Sequence, residues 1–583
     1  MFKKLFNYLK INWRGLILII VAICFFIGTS SFNYFTQKDN FVKWSSPDET
    51  ANYTFAKLYG KQNQLQFFEP AGFYASDIVA PRSFRSDNGW LKPVSFLGII
   101  LIYGKIASFT SLKIIPFLTP VFGGLGIIFF YLLMARIFSR RDAFIASLLL
   151  AFFPVYIYYS ARSMFHNVLF IVLLIIGFYF ATFLSSKKIS KRLVDWKGLC
   201  FAALSGGFFG LAIITRTSEL IWLGPMLIIL WLFNINRISL TKILIFISFL
   251  FLAFLPVANW NKVLYGSYWQ GGYPEMNNSI IEVAKTSGNL AKDTLGKQAN
   301  MSEKYLLIKN SLSLLKKDIF FFGFKSDLSF KMFDNYFVKM FWWLFWLAIL
   351  GLLIFVCKIK HWKIKDYAYL FSYIIASIIL LLYYGSWSFF DNPNKTSITI
   401  GNSYTRYWLF IYLGSLPFVS IAINKFCDLF KNKILAVIAK STIVLFIIFI
   451  SLVFVLIGSE EGLIPTATKQ VVSFEQFTRI LKLTEKNSII IARYHDKLLF
   501  PERRIIVGLL DDPNMNYLYA KLARVFPVYY YNFSFKEKDL NYLNNSKLSK
   551  LNIKLKPITK IGEEFTLYKL ERVNGSVAEY RIR

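Results

Sequence analysis

About eleven stretches of this chain are apolar for close to 20 residues at a time, and that repetition limits what it can fold into. They run over 15–35, 114–135, 142–160, 165–184, 198–215, 217–234, 243–260, 339–357, 366–385, 404–423 and 441–458. A helix needs about 20 apolar residues to cross a bilayer, so the pattern predicts a polytopic membrane protein with membrane lipids as partners. Composition agrees. Of the 583 residues, 56% are hydrophobic and 17% charged, against roughly half and a quarter in soluble domains. That content excludes disorder, and four cysteines in so long a chain exclude a small disulfide scaffold. A net charge of +34 would suit a nucleic-acid binder. Such a protein could not keep runs like 16–27 or 442–458 from water, so no nucleic acid is expected as a partner. The first run is too long, and its flanks too polar, for a cleaved signal peptide; it reads as a retained first helix.

Cations in the short loops orient the spans. Lys3, Lys4, Lys10 and Arg14 accompany the start of the chain. If that end is cytoplasmic, the same side receives Arg136, Arg140 and Arg141, then Lys187, Lys188, Lys191, Arg192 and Lys197, then Arg237 and Lys242. Lys358, Lys360, Lys363 and Lys365 follow, and then Lys425, Lys431, Lys433 and Lys440. The short loops opposite hold only Arg162, Arg216 and Lys395. This alternation requires that 93–109 not cross. The stretch is apolar but contains Tyr103, Gly104 and Lys105, and it reads as a helix lying in the outer interface. The expected location is the plasma membrane, multi-pass, with the N-terminus cytoplasmic and the tail outside.

Three long segments then face outward: 36–113, 261–338 and 459–583. None contains a cysteine, so no external disulfide is expected. The tail mixes β-rich runs at 488–492, 504–507 and 526–531 with helical stretches. The expected architecture is a membrane all-α bundle of about 11 helices over 1–458 with an outer-face interfacial helix, followed by a small extracytoplasmic α/β domain over 459–583.

The most informative outward segment is Trp44-Ser-Ser-Pro-Asp-Glu-Thr-Ala-Asn-Tyr53, just after the first span. Ser46-Pro47-Asp48-Glu49 fits a helix N-terminus, with Ser46 as cap, Pro47 in the first position and Glu49 closing a capping box. Glu49 can serve the cap while Asp48 faces a cavity. Arg82, Arg85 and Trp90-Leu91-Lys92-Pro93 come next. A single such cation simply snorkels; gathered, they would bind phosphate. Arg162, His166, Asn167, Arg216, Glu219, Arg406 and Tyr407 fall at a similar depth, and ionisable groups there usually line cavities. Arg216 and Glu219 are three apart and can equally be a local pair.

In this order relative to the spans, the motifs resemble the polyprenyl-phosphate-dependent membrane glycosyltransferases of the GT-C fold. The nearest branch is that of the aminoarabinose transferases and protein O-mannosyltransferases. The residues that carry the resemblance are Pro47-Asp48-Glu49-Thr50 and Lys92-Pro93, supported by the Arg136–Arg141 loop, Pro154, Tyr158-Tyr159-Ser160-Ala161-Arg162 and Arg406-Tyr407. It covers residues 10–230 well and later spans by layout. It implies a lipid-linked sugar donor, a catalytic acid at Asp48, with Glu49 beside it, and a phosphate-binding lysine at Lys92. Two positions depart: Leu91 stands where the family often has an acid before Lys-Pro, and His166-Asn167 where it often has an Asp.

The chemistry suits these residue types. Phosphate leaves readily at neutral pH, so no acid need protonate it, unlike the leaving group in glycoside hydrolysis. One carboxylate is needed to orient or deprotonate the acceptor, for which Asp48 is available. Cations must stabilise the departing phosphate, and Lys92, Arg85, Arg162, Arg216 and Arg406 are the candidates. In-line attack would invert the anomeric centre. The expected substrates are a polyprenyl-phosphate sugar and an acceptor lipid, glycan or protein. Asp48, Asn167 and water could hold a divalent ion, but three histidines in all argue against a His-rich metal site. Two other classes compete: a flippase for lipid-linked glycans, which should show two repeated halves, and a non-catalytic assembly subunit, which would not need Asp48 in a cavity.

Overall fold

The computed structural model describes residues 2–38, 41–185, 195–296, 301–392, 394, 396–458 and 460–573. Lys187, Lys188, Lys191, Arg192 and Lys395 lie outside them. Each apolar stretch read from the sequence coincides with a helix. Seven described helices are long and apolar enough to cross a membrane: Trp13–Thr36, Leu112–Ile137, Trp196–Thr215, Leu240–Tyr265, Ile364–Ser386, Leu409–Cys427 and Lys433–Leu456. Two bent pairs bring the number to nine. Arg140–Ala151 and Pro154–Ala161 meet at 48°, and Ser326–Lys339 and Trp342–Val356 at 99°. Pro154 explains the first break: it opens the second helix and holds Phe153 extended. The other two expected spans are the shorter apolar helices His166–Ala181 and Thr217–Leu232. The 16 residues of the former reach only about 24 Å, against a hydrocarbon core of about 30 Å.

The chain divides into two compact units, Met1–Asn33 with Phe117–Pro465, and Tyr34–Pro116 with Thr466–Arg583. The sequence reading placed one cut at 458/459. In the structure Tyr34–Pro116 is grouped with the tail instead.

In the first unit, small residues let helices touch. Gly206 and Gly210 lie one turn apart on Trp196–Thr215. A Cβ on Gly206 would stand 2.1 Å from the Phe246 carbonyl oxygen, and one on Gly210 2.7 Å from that of Leu250. Both neighbours are on Leu240–Tyr265, so backbones pack directly, as in other small-xxx-small membrane contacts. Tyrosine hydroxyls also bond to backbone carbonyls of neighbouring helices. Half-buried Tyr369 donates to Gly414 O at 2.7 Å. Tyr156 donates to Gly123 O at 2.7 Å and Tyr412 to Tyr336 O at 2.9 Å.

The second unit holds two sheets. The smaller is antiparallel, with β1 (Phe67–Phe68), β2 (Phe84–Asp87) and β3 (Trp90–Pro93) in the order β1-β3-β2. The larger has β4 (Ile489–Ile491), β5 (Arg504–Ile506), β6 (Val528–Phe533), β7 (Ile553–Ile561) and β8 (Phe565–Arg572), ordered β5-β4-β6-β8-β7. Strands β5, β4 and β6 are parallel, and β8 and β7 add an antiparallel hairpin. The first three strands match the three β-rich runs. Ala71, Ala75 and Val79 from the outward segment join Ile489, Ile506, Tyr519 and Tyr530 in one hydrophobic core. That shared core is why 34–116 and the tail form one body. Helix Gly98–Phe109, where an interfacial helix was expected, packs on Pro47–Gln62 in this unit. A Cβ on Gly104 would lie 2.7 Å from Ala56 O, so only glycine permits the approach. With 12 residues it is too short to cross.

Candidate active site

The acidic turn begins helix Pro47–Gln62, as Ser46-Pro47-Asp48-Glu49 implies. Buried Glu49 accepts from the Ser46 N–H at 3.0 Å and so serves the cap. Half-buried Asp48 accepts from the Ser83 hydroxyl at 2.6 Å. The two neighbouring carboxylates therefore have different partners, Glu49 the cap and Asp48 the Ser83 hydroxyl. Ser83 holds φ at 63°, an uncommon conformation for a residue with a Cβ. It sits immediately before β2, so the sheet fixes the serine that fixes Asp48.

The same sheet brings two predicted cations side by side. Asn88 (φ 51°) and Gly89 (φ 79°) form a two-residue turn between β2 and β3. Asn-Gly favours such turns because both positions need positive φ. The register sets Arg85 opposite Lys92, on one face of the sheet. Asp87 lies between them, 2.8 Å from Arg85 Nε and 3.2 Å from Lys92 Nζ. Leu91, the residue before Lys92, is buried. The turn is held from below by Asp77, which accepts from Gly89 N at 2.6 Å, Asn88 N at 2.8 Å and the Ser86 hydroxyl at 2.8 Å. Burial alone would raise the Asp77 pKa, but these donors hold it below its ordinary value.

The tail grips this loop through ions. Asp496 is fully buried and accepts from Arg82 N at 3.0 Å, Nε at 3.2 Å and Nη2 at 2.5 Å. Arg82 directly precedes Ser83, so the order of connection is Asp496, Arg82, Ser83, Asp48. Buried Lys43 pairs with Glu502, and Arg504 with Glu69 at 2.7 Å. The Lys497 ammonium donates to the Ser45 carbonyl. Burial lowers the Lys43 pKa although Glu502 opposes it. The His495 pKa is pushed down to about 4, first by burial and then by Lys497. No local signal marks Asp496 as buried; the Asn88-Gly89 pair, by contrast, was there to be read.

The remaining predicted residues lie in the first unit and gather there. Arg162 stands 5.1 Å from the centre of the Phe165 ring and Arg406 4.5 Å from it. Arg406 is also 5.2 Å from the Tyr407 ring, and Arg216 is 4.6 Å from that ring. Three buried arginines thus share two aromatic rings. Arg162 donates to the Tyr158 hydroxyl at 2.7 Å, and Arg406 to the Ser403 hydroxyl at 2.8 Å. Asn167 donates to Arg406 O at 3.1 Å, and His166 is buried beside it in sequence. Arg216 Nε meets Glu219 Oε1 at 2.8 Å, and Tyr384 donates to the same oxygen at 2.8 Å. Trp222 donates to the other Glu219 oxygen. The local pairing of Arg216 and Glu219 is therefore what forms, within a larger network. Among the described residues no group of three or more His, Cys, Asp or Glu side chains could hold a metal ion.

Residues 92–260 match the family of dolichyl-phosphate-mannose-protein mannosyltransferases. By sequence, no curated protein matches the chain. Among solved structures, it is similar to the oligosaccharyltransferase of Archaeoglobus fulgidus, tethered with an acceptor peptide containing the NVT sequon. That match has 13% identity, covers 96% of this chain and 74% of the other, and has a TM-score of 0.50. ArnT from Cupriavidus metallidurans, bound to undecaprenyl phosphate, matches with 10% identity over 96% of this chain and 98% of the other, at a TM-score of 0.49.

Proposed function

We propose that this chain, which has the GT-C fold, is an integral-membrane glycosyltransferase. It moves a sugar from a polyprenyl-phosphate donor to an acceptor lipid, glycan or protein at the extracytoplasmic face. The mannosyltransferase match over 92–260 supports the donor class. The observation that carries the mechanism is Asp48. It follows the first span, its neighbour Glu49 is taken by the helix cap, and Ser83 orients one of its oxygens.

Asp48 accepts the proton of the acceptor nucleophile, whose atom attacks the anomeric carbon as the bond to phosphate breaks. General-base catalysis is worth about 10²–10⁴-fold in such steps. Attack opposite the phosphate inverts the centre. Lys92 and Arg85, set opposite each other by the register of β2 and β3, are the cations offered to the phosphate. Within the first unit, Arg162 and Arg406 are a separate candidate for binding a phosphate. Arg216 is answered by Glu219, and its role is to hold the cluster in shape.

The test is transfer from labelled polyprenyl-phosphate sugars, mannose first, to membrane and secreted acceptors from the same cells. Asp48→Asn should lose at least 100-fold in rate while still binding donor. Undiminished transfer would remove Asp48 from the mechanism.

A further inference from the structure

The first unit also has a cleft that none of the residues assigned to this chemistry lines. The cleft, of about 820 Å³, opens among the helices Leu112–Ile137, His166–Ala181, Thr217–Leu232 and Ile364–Ser386. Its volume is in the range of ligand pockets, and its walls are mainly apolar, with Phe130, Ile171, Phe209 and Phe410 among them. At one end stand Arg136, Arg237 and Lys365, and among the described residues no aspartate or glutamate lines it.

The three cations converge from distant parts of the chain. Arg136 is in the last turn of its helix, Arg237 follows Thr217–Leu232 closely, and Lys365 is in the first turn of Ile364–Ser386. Lys365 Nζ donates to Arg136 O at 2.9 Å. The Arg136 guanidinium lies 4.0 Å from the centre of the Phe183 ring. All three side chains are exposed, so water or a ligand headgroup can reach them. All three also belong to the cation-rich loops that set the expected orientation.

The depth of the cleft is informative. On Ile364–Ser386 its lining runs from Lys365 to Tyr373, which at 1.5 Å per residue is about 12 Å. That is close to half of a hydrocarbon core of about 30 Å, the depth of one leaflet. A cationic rim over an apolar slot one leaflet deep matches a glycerophospholipid, with phosphate outside and acyl chains within. Basic pockets between membrane helices bind anionic headgroups in this way. We infer that this cleft is a binding site for an anionic phospholipid, held by Arg136, Arg237 and Lys365 and separate from the sugar-donor chemistry. The inference does not depend on the proposed glycosyl transfer.

Native mass spectrometry of the delipidated full-length protein tests it. Phosphatidylglycerol, phosphatidylcholine, a polyprenyl phosphate and glycerol phosphate are titrated in turn. Phosphatidylglycerol should bind at least tenfold more tightly than phosphatidylcholine. The triple variant Arg136→Gln/Arg237→Gln/Lys365→Gln should lose about 100-fold, at roughly fivefold per cation. The substituted side chains are exposed, so the variant should fold, and an unchanged melting temperature would verify this. Equal binding by wild type and variant would overturn the site. So would equal binding of the two phospholipids, or glycerol phosphate alone binding as well as the lipid. A variant-sensitive preference for polyprenyl phosphate would overturn the occupant, giving the cleft to the donor's tail.

Discussion

Replacing Arg82 by alanine tests how the tail supports the acidic loop. Asp496 is fully buried and takes three contacts from Arg82, two of them from the guanidinium. Breaking a buried ion pair by removing one partner typically costs 3–5 kcal/mol, because a buried charge is left behind. Two features reduce that here. The Arg82 side chain is 39% exposed, so solvent already screens the pair. The Arg82 backbone N–H also remains on Asp496 in the variant. We expect a loss of about 2 kcal/mol in the second unit. Strand β4 is an interior strand of its larger sheet, paired on both sides, and its amides exchange through opening of that unit. Hydrogen exchange at Ile490 and Ile491 in the full-length protein should therefore accelerate about 30-fold. Adding Asp496→Ala should do little further harm, since the double variant leaves no unpaired charge. A change below threefold in Arg82→Ala, or additive losses in the double variant, would refute the reasoning.

Ser83→Ala removes the hydroxyl 2.6 Å from Asp48. Transfer rate should fall about tenfold with donor affinity unchanged; an equal loss in donor affinity would contradict an orienting role. His495 gives an acid-side signature. Its folded pKa, about 4, lies below the unfolded value of about 6.5. Between those values the unfolded chain therefore binds the extra proton, and stability falls as pH drops through the window. The full contribution is present above pH 6.5, and the loss below pH 4 is at most about 3 kcal/mol. Thermal midpoints between pH 4 and 7 should fall less steeply in His495→Gln than in wild type, and parallel curves would exclude His495 as the cause.

Much of this was legible in one chain because a membrane writes its demands plainly. Runs of about 20 apolar residues had to be helices, and Ser46-Pro47-Asp48-Glu49 had to start one. The split between Glu49 and Asp48 followed from cap chemistry. What stayed hidden were relations set by tertiary packing. Helix His166–Ala181 is apolar after its first two residues yet shorter than a span, because composition does not encode where a helix stops among its neighbours. Arg162, Arg216 and Arg406 could be named singly, but nothing local announces that Phe165 and Tyr407 join them. The single domain boundary expected at 458 missed Ala71, Ala75 and Val79 in the tail's core, since three small apolar residues in a loop look unremarkable. One feature was readable and passed over: Asn88-Gly89 between two short extended runs specifies a hairpin, and that hairpin pairs Arg85 with Lys92.

The central claim is that the sugar arrives on a lipid phosphate and that Asp48 activates its acceptor. The direct measurement offers purified protein a polyprenyl-phosphate sugar and the matching nucleotide sugar, both labelled, with the same acceptor mixture. The account predicts that label moves from the lipid donor alone, with release of polyprenyl phosphate, and that Asp48→Asn abolishes the release. Transfer from the nucleotide sugar, or release of polyprenyl phosphate that is indifferent to Asp48, would contradict it.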